Sequence, residues 1–216
     1  MNERIDMKFF KQSLSRTFIV FALLLAPLHS AWAAQYKEGV DYVKIAGIPE
    51  SHKPVVREFF SYNCGFCYRQ DPFFEQTAHL LEGDIQFERT PVGAGRSSWI
   101  LSQEAYYLAQ KFNVTKQVHG NIFTRIHEKE GAFTRSDQLK DFFVSQGLNE
   151  AEVEAAMNST DAKLALMNYD TQAQLAEIRG VPSLVVNGQY LIKEQGKTPE
   201  DLAELVRYLS SLEQPK

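Results

Sequence analysis

The chain is organised around residues 59–68, Phe59-Phe60-Ser61-Tyr62-Asn63-Cys64-Gly65-Phe66-Cys67-Tyr68, which follow an apolar strand-like run and precede a helix-like pattern. Both cysteines of the 216-residue chain lie in this stretch, separated by two residues. At a strand-to-helix junction, Cys64 falls in the first turn of the helix, where free N–H groups and the helix dipole stabilise a thiolate. Cys67, one turn later, faces the same way and can attack a mixed disulfide formed at Cys64. The motif predicts redox chemistry.

Two other uses of a cysteine pair remain open from the spacing alone. A zinc site typically has four ligands, but the chain has no third cysteine, and His119 and His127 are expected at a helix surface rather than as ligands. A purely structural disulfide would close so short a loop that it would restrain the unfolded chain little. We therefore expect no metal and no bound cofactor, the redox group being the Cys64–Cys67 disulfide itself.

The N-terminal residues have the pattern of an export signal. Four basic residues precede an apolar run from Thr17 to Leu28, and Ala31-Trp32-Ala33 has the small-x-small form of a cleavage site. We expect residues 1–33 to be a signal peptide cleaved after Ala33, with an uncleaved membrane anchor as the alternative. The net charge of −4 and the absence of a basic run argue against a nucleic-acid partner.

Strands are predicted on both sides of the cysteine motif. Candidate strands span residues 40–44, 55–60 and 85–92, and the helix between the last two requires a parallel crossover. Alternation along the second strand puts Glu58 among apolar neighbours, where burial would raise its pKa and let it carry protons for Cys67. Alternatively, Glu58 lies on an exposed face or pairs with a nearby base. Pro72 is expected to kink the helix or restart it with Asp71 as the cap.

The middle of the chain has helical patterns and no convincing strand. Amphipathic helices are predicted at 98–112 and 115–127, from 136, after 149 and at 161–179. A strand at 181–186, an Asn187-Gly188 hairpin turn and a closing helix from Thr198 follow. The prediction is an α/β fold whose sheet is discontinuous in sequence: a domain formed by 34–94 and 171–216, with an all-helical insertion at 95–170.

The motifs together resemble the DsbA family of periplasmic thiol:disulfide oxidoreductases. The resemblance lies in Phe-Phe-Ser-x-x-Cys-x-x-Cys, in Arg179-Gly180-Val181-Pro182-Ser183, in Val186-Asn187-Gly188-Gln189-Tyr190 and in the Ala34-Gln35-Tyr36-Lys37-Glu38-Gly39 opening. It implies a thioredoxin fold with an inserted helical domain and a periplasmic location. It also implies that Cys64 is the attacking thiol and Cys67 the resolving one.

The resemblance further implies the roles of three neighbouring residues. Pro182 would be a cis-proline facing the cysteines, Val181 beside it would pair with a docked extended peptide, and Glu58 matches the family's buried acid. Sequence alone would leave Pro182 as an ordinary trans proline at the start of a strand.

The two residues between the cysteines depart from the Cys-Pro-His-Cys typical of this family. Phe66 cannot donate a hydrogen bond or carry charge, and Gly65 makes the first helical turn more flexible. A less stabilised thiolate predicts a milder oxidant. Phe66 instead offers substrates an apolar contact, together with Tyr62 and Tyr68 if those rings are exposed.

Three functions follow from these observations. The first is a periplasmic dithiol oxidase in which reduced exported proteins attack the Cys64–Cys67 disulfide at Cys64, and Cys67 then releases the oxidised substrate. It would be a monomer reoxidised by a quinone-linked membrane protein of the DsbB kind. The second is a disulfide isomerase or reductase, since Cys-Gly-aromatic-Cys is similar to the isomerase motif; the short segment before residue 55 leaves no room for an isomerase dimerisation domain. The third is a non-catalytic peptide-binding module. Substrate range and redox potential stay open.

Overall fold

The computed structural model describes residues 36–50 and 54–212. The predicted signal peptide, residues 1–33 with cleavage after Ala33, lies outside these residues. Among the described residues, no helix combines the length and the apolar character that a membrane span requires.

Five strands form one mixed sheet within the described residues, in the spatial order β1-β5-β4-β2-β3. Strand β2 pairs in parallel with β3 and antiparallel with β4. All six β2 residues are buried, as expected for an interior strand covered on both faces. The strands are β1 (Tyr42–Lys44), β2 (Val55–Phe60), β3 (Gln86–Pro91), β4 (Ser183–Val186) and β5 (Tyr190–Ile192).

Helices follow β2, fill the segment between β3 and β4, and close the described chain. They are α1 (Gly65–Leu81), α2 (Ser97–Lys111), α3 (Thr115–Thr124), a π-helix (Arg125–Lys129), α4 (Ser136–Ser145), α5 (Glu150–Met157), α6 (Thr160–Leu175) and α7 (Pro199–Ser211). The sheet is therefore built from strands on both sides of a helical segment, and the predicted α/β class is confirmed. The predicted limits of the inserted domain, 95 and 170, stay a prediction.

The turn between β4 and β5 is the predicted Asn-Gly hairpin. Asn187 and Gly188 both have positive φ, 50° and 73°. A Cβ atom at residue 188 would lie 2.2 Å from the backbone oxygen of Ile48, so the turn needs glycine there for space as well as for conformation. The Asn187 side chain accepts a hydrogen bond from the Val55 N–H, which ties the turn to the start of β2.

The predicted interruption of the helix at Pro72 is wrong. Helix α1 runs without a break from Gly65 to Leu81 with Pro72 inside it, and Asp71 is not a cap. A proline inside a helix costs about 3 kcal/mol, because it removes a hydrogen bond and crowds the preceding turn. Phe74 and Leu81, both beyond the proline, are fully buried, and their packing in the core offsets that cost.

Several helix ends differ from the sequence pattern. Helix α6 begins after a Ser159 cap and ends at Leu175, four residues before the predicted end. The predicted helix 115–127 is an α-helix only to Thr124, where the backbone widens into the π-helix. A π-turn inserts one extra residue, which amphipathic periodicity does not reveal.

Helix α7 packs on α1 and on the sheet. Its Thr198–Asp201 capping box defines its start, and Leu202, Leu205 and Leu209 are buried in a cluster that also contains Phe74. Because this apolar face of the last described helix completes the core begun by β2 and α1, folding requires both ends of the described chain.

We predict that Leu202→Ala lowers the free energy of unfolding by about 2–5 kcal/mol, because it opens a cavity in this core. The measurement is urea unfolding of the reduced protein, read as a shift in midpoint at constant slope. Leu164→Ala is the matched control, since Leu164 is 57% exposed and should cost less than about 0.5 kcal/mol. Equal losses for the two variants would contradict the packing described here.

Candidate active site

Cys64 is the N-cap residue of α1, directly after the loop that leaves β2. Its sulfur accepts a hydrogen bond from the Cys67 backbone N–H at 3.4 Å, and the Cys64 carbonyl accepts the first helical hydrogen bond, from the Tyr68 N–H. Both cysteines are free thiols in this structure. Cys64 retains 9% exposure whereas Cys67 retains 1%. Cys64 is therefore the more accessible of the two thiols, and Cys67 lies behind it.

The two thiols differ strongly in acidity. A hydrogen bond from the Cys67 thiol, backbone N–H groups of Cys67 and Phe66, and the charge of His127 together lower the pKa of Cys64 to about 6, against the effect of burial. The pKa of Cys67 is raised by its hydrogen bond to Cys64, by burial and by the charge of Glu58. At neutral pH, Cys64 is the thiolate and Cys67 the protonated thiol.

The segment before β4 lies against Cys64. In its thiol form, Cys64 donates a hydrogen bond to the Val181 carbonyl oxygen at 3.4 Å, and the Val181–Pro182 peptide bond is cis, as the resemblance implies. Phe66 is 64% exposed, and the Arg69 guanidinium lies 4.6 Å from the centre of its ring. The structure thus brings Val181 and Pro182, over 110 residues away in sequence, to the cysteine pair.

Glu58 is buried and also paired with a base. It is 2% exposed, and its carboxylate accepts a hydrogen bond from Arg89 Nε at 2.9 Å across the β2–β3 pair. Burial raises the pKa of Glu58, and the charge and hydrogen bond of Arg89 oppose that rise without cancelling it. Glu58 is therefore buried, as predicted, and it also pairs with a nearby base, which was part of the alternative.

Tyr62 and His119 both lie in the interior, whereas His119 was expected at a helix surface. The Tyr62 ring is completely buried and does not join an exposed docking surface, and His119 is 6% exposed instead of on a helix surface. The Tyr62 hydroxyl is hydrogen-bonded to His119 Nδ1 at 2.8 Å, and His119 Nε2 to Asp71 at 2.9 Å. Both ring nitrogens of His119 therefore have hydrogen-bond partners in the interior. The helical periodicity of the sequence does not reveal these partners, because they are 48 and 57 residues away.

His127 is a second histidine that the sequence reading placed at the surface and the structure brings to the site. Its Nε2 is 2.8 Å from the Tyr62 carbonyl oxygen, and its ring is stacked on Tyr68 at 4.6 Å with a 7° angle between planes. Asn63 donates to the Ser98 carbonyl and to the Ser102 hydroxyl. Side chains of the helical segment thus hold Tyr62 and Asn63, the two residues immediately before Cys64.

A cluster of possible metal ligands lies beside this network. Among the described residues, ligand atoms of Asp71, Glu75 and His119 lie within 4.8 Å of one another. Arg89 already supplies a cation there, since its Nη2 is 2.8 Å from Glu75 and 4.0 Å from Asp71. The cluster is therefore an ion-pair network rather than a site built for a metal.

Comparisons with known proteins agree with this geometry. The family description "DSBA-like thioredoxin domain" matches residues 74–207. The thiol:disulfide interchange protein DsbA of Pseudomonas aeruginosa is 27% identical over 201 residues, covering 90% of this chain and 95% of that protein. DsbA of Escherichia coli is 28% identical over 198 residues, covering 84% and 91%.

Solved structures resemble the fold as a whole. The crystal structure of oxidoreductase DsbA from Xylella fastidiosa has a TM-score of 0.72 at 27% identity and covers 82% of this chain and 96% of that one. The crystal structure of Pseudomonas aeruginosa DsbA also has a TM-score of 0.72, at 26% identity, and covers 81% and 93%. The expected thioredoxin fold with a helical insertion is confirmed.

We predict that thiolate absorbance at 240 nm in the reduced protein rises with a midpoint near pH 6 and that Cys64→Ser removes this step. Cys67→Ala should move the midpoint upward, because the hydrogen bond from the Cys67 thiol is the largest cause of the low pKa. An unchanged midpoint in Cys67→Ala would contradict that assignment.

Thiol ionisation also predicts how the stability of the reduced form depends on pH. The pKa of Cys64 is lower in the folded chain, about 6, than the ordinary value of 9.0, so its stabilising contribution is complete above pH 9. The contribution is lost as pH falls towards 6. Reduced wild-type protein should therefore gain stability relative to Cys64→Ser between pH 6 and 9 in urea unfolding, and a constant difference would contradict the shift.

Proposed function

This chain belongs to the DSBA-like thioredoxin family and is a thiol:disulfide oxidoreductase that forms disulfide bonds in exported proteins, and we propose that Cys64 and Cys67 are its redox pair. The observation that carries the assignment is the placement of the two thiols: Cys64 is the N-cap of α1, where hydrogen bonds from the Cys67 thiol and backbone N–H groups lower its pKa, and Cys67 lies behind it, where its hydrogen bond to Cys64 and burial raise its pKa. An acidic Cys64 favours the reduced form, so electrons flow from substrate thiols to the enzyme.

The first step is attack of a substrate thiolate on the Cys64 sulfur of the oxidised enzyme. The Cys64–Cys67 bond breaks, a disulfide forms between substrate and Cys64, and the electron pair leaves on the Cys67 sulfur. Burial makes a Cys67 thiolate unstable, so that sulfur takes up a proton.

The second step is completed by the substrate. A second substrate thiolate attacks its own sulfur in the mixed disulfide, which forms the substrate disulfide and releases Cys64 as a thiolate. Electron balance thus changes the role predicted for Cys67: attack by Cys67 would return the substrate to its thiol form, so Cys67 does not release the oxidised product. It is the leaving group of the first step.

Glu58 supplies the proton that Cys67 takes up. Burial raises the pKa of Glu58, which favours the protonated carboxyl, and Glu58 acts electrostatically on Cys67 in the same buried region. Substrate binding is assigned to Val181, Pro182 and Phe66. The Val181 carbonyl already lies at hydrogen-bond distance from Cys64, and the exposed Phe66 ring offers an apolar contact next to it.

Continued turnover needs removal of two electrons and two protons from the reduced pair. We assign this step to a quinone-linked membrane protein of the DsbB kind and place the enzyme in the periplasm as a monomer, after cleavage of residues 1–33 at Ala33. The redox-active disulfide is the only redox group that this mechanism uses. Neither an isomerase nor a non-catalytic peptide-binding role is favoured by an observation at the site.

The position of the redox equilibrium with glutathione tests the direction of electron flow. We expect the reduced enzyme to be favoured over glutathione, because the thiolate is stabilised. An equilibrium as reducing as that of thioredoxin would contradict the oxidase and favour the reductase or isomerase. Oxidised enzyme should also convert a two-cysteine peptide into its disulfide, as followed by mass spectrometry.

We predict that Cys67→Ala, treated with oxidised glutathione, accumulates one glutathione on Cys64, whereas Cys64→Ala accumulates none. The Cys64 thiolate attacks glutathione disulfide and releases one glutathione, and without Cys67 no internal thiol can displace the other. Mass spectrometry before and after a reductant measures the adduct. Accumulation in Cys64→Ala instead would reverse the two roles.

Glu58→Gln should slow oxidation of a two-cysteine peptide by about tenfold or more at pH 7, because the proton donor for Cys67 is lost. Glu75→Gln is the matched control: Glu75 also pairs with Arg89, but its side chain is 54% exposed. The measurement is the stopped-flow rate. Equal slowing in both variants would assign the effect to Arg89 instead of to proton supply.

A further inference from the structure

The residues between the cysteines supply no charge to the thiolate. Gly65 has no side chain, and Phe66 is apolar with its ring directed to solvent. An N-cap position alone contributes partial charges from backbone N–H groups, and a nearby cation would add to them. A cation beside Cys64 must therefore come from a side chain outside the two residues between the cysteines.

His127 is held with its ring in a defined position beside the loop that carries Cys64. Its Nε2 lies 2.8 Å from the Tyr62 carbonyl oxygen, which only accepts, so Nε2 carries a hydrogen. The proton that creates the imidazolium is therefore bound at Nδ1. Stacking on Tyr68, with centroids 4.6 Å apart and planes 7° from parallel, holds the ring orientation.

Anionic and aromatic groups face His127 from α1, from α3 and from its own π-helix. On α1, these are the Cys64 thiolate and the Tyr68 ring, whose π-face attracts a cation. On its own π-helix, Glu128 accepts a hydrogen bond from the Tyr68 hydroxyl, which places a carboxylate at the far end of that ring. The cation Arg125 of the same helix is paired with Glu130, and α3 contributes the uncharged Phe123 ring.

The π-helix is the backbone feature that allows this position. Residues 125–129 form a wider turn than the α-helix before them, which changes the direction in which the following side chains project. An α-helical continuation would turn residue 127 to a different direction. Such turns occur frequently at functional sites.

We propose that His127 is a positioning residue of the redox centre: from the π-helix it holds the Tyr62 carbonyl and places a positive charge beside the Cys64 thiolate. It thereby supplies, from the helical segment, the cation that Gly65 and Phe66 do not supply between the cysteines. The inference rests on the proposed role of Cys64 as the thiolate. Its consequence is that reduction of the enzyme is favoured more when the imidazole is protonated and less when it is neutral.

The test compares His127→Gln with His127→Lys, using the full protein. Gln keeps an N–H donor for the Tyr62 carbonyl but carries no charge, whereas Lys keeps a positive charge. For His127→Gln, we expect the 240 nm midpoint of Cys64 to rise and the equilibrium constant with glutathione to fall by about threefold to tenfold, since one pKa unit corresponds to a factor of ten. His127→Lys should recover at least half of the shift.

His79→Gln is the control, because His79 is an exposed histidine on the same helix as the cysteines and pairs with Glu82 instead. It should change neither quantity. The proposal would be overturned if His127→Gln left the 240 nm midpoint of Cys64 unchanged and kept the equilibrium constant with glutathione within twofold of the wild-type value. Equal shifts in the Gln and Lys variants would overturn it too, since those would follow from lost packing and not from lost charge.

Failure of this inference is distinguishable from failure of the proposed function. The midpoint is measured on the reduced protein without any substrate, and its loss in Cys64→Ser identifies the titrating thiol. A reducing equilibrium in the wild type would contradict the oxidase while leaving the difference between wild type and His127→Gln to decide the role of His127.

Discussion

The hydrogen bond from the Cys67 N–H to the Cys64 sulfur, at the first turn of α1, is the interaction that the rest of the structure holds in place. It exists because β2 ends at Phe60 and a four-residue loop then delivers Cys64 to the N-cap. The loop cannot move freely, since β2 below it is buried along its whole length and paired on both edges. Val181 closes the other side of the sulfur. The thiolate is stabilised because the Cys67 thiol and the backbone N–H groups of Cys67 and Phe66 are directed at it before any substrate binds.

The interior behind the cysteines contains several polar and charged side chains. Glu58, Arg89, Asp71, His119 and Tyr62 form a connected network under the active-site helix. Burying such groups costs free energy, which pairing offsets only in part, so the network contributes less to stability than apolar packing of the same volume would. Glu58 of this network acts electrostatically on Cys67, whose sulfur takes up an electron pair and then a proton in the proposed mechanism.

The helical segment does more than extend the fold. Its α2 holds Asn63, its α3 holds the Tyr62 hydroxyl through His119, and its π-helix holds the Tyr62 carbonyl through His127. Each contact acts on one of the two residues immediately before Cys64. Movement of this segment relative to the sheet would therefore alter the geometry and charge around the thiolate.

Local sequence determined the strand at 55–60, the last four residues of the strand predicted at 181–186, the Asn187-Gly188 turn and the place of Cys64 at the start of the helix. Apolar periodicity, turn residues and helix starts depend on neighbours within a few positions. The resemblance to a family added the cis bond at Val181–Pro182. Only the tertiary structure decided that α1 passes through Pro72, that Glu58 pairs with Arg89, and that Tyr62, His119 and His127 meet at the active-site loop. Those outcomes depend on partners that are 31 to 65 residues away, and on core packing strong enough to override a local preference. Periodicity carries no information about which distant residue will satisfy a buried polar atom, so these contacts are decided only when the chain is folded.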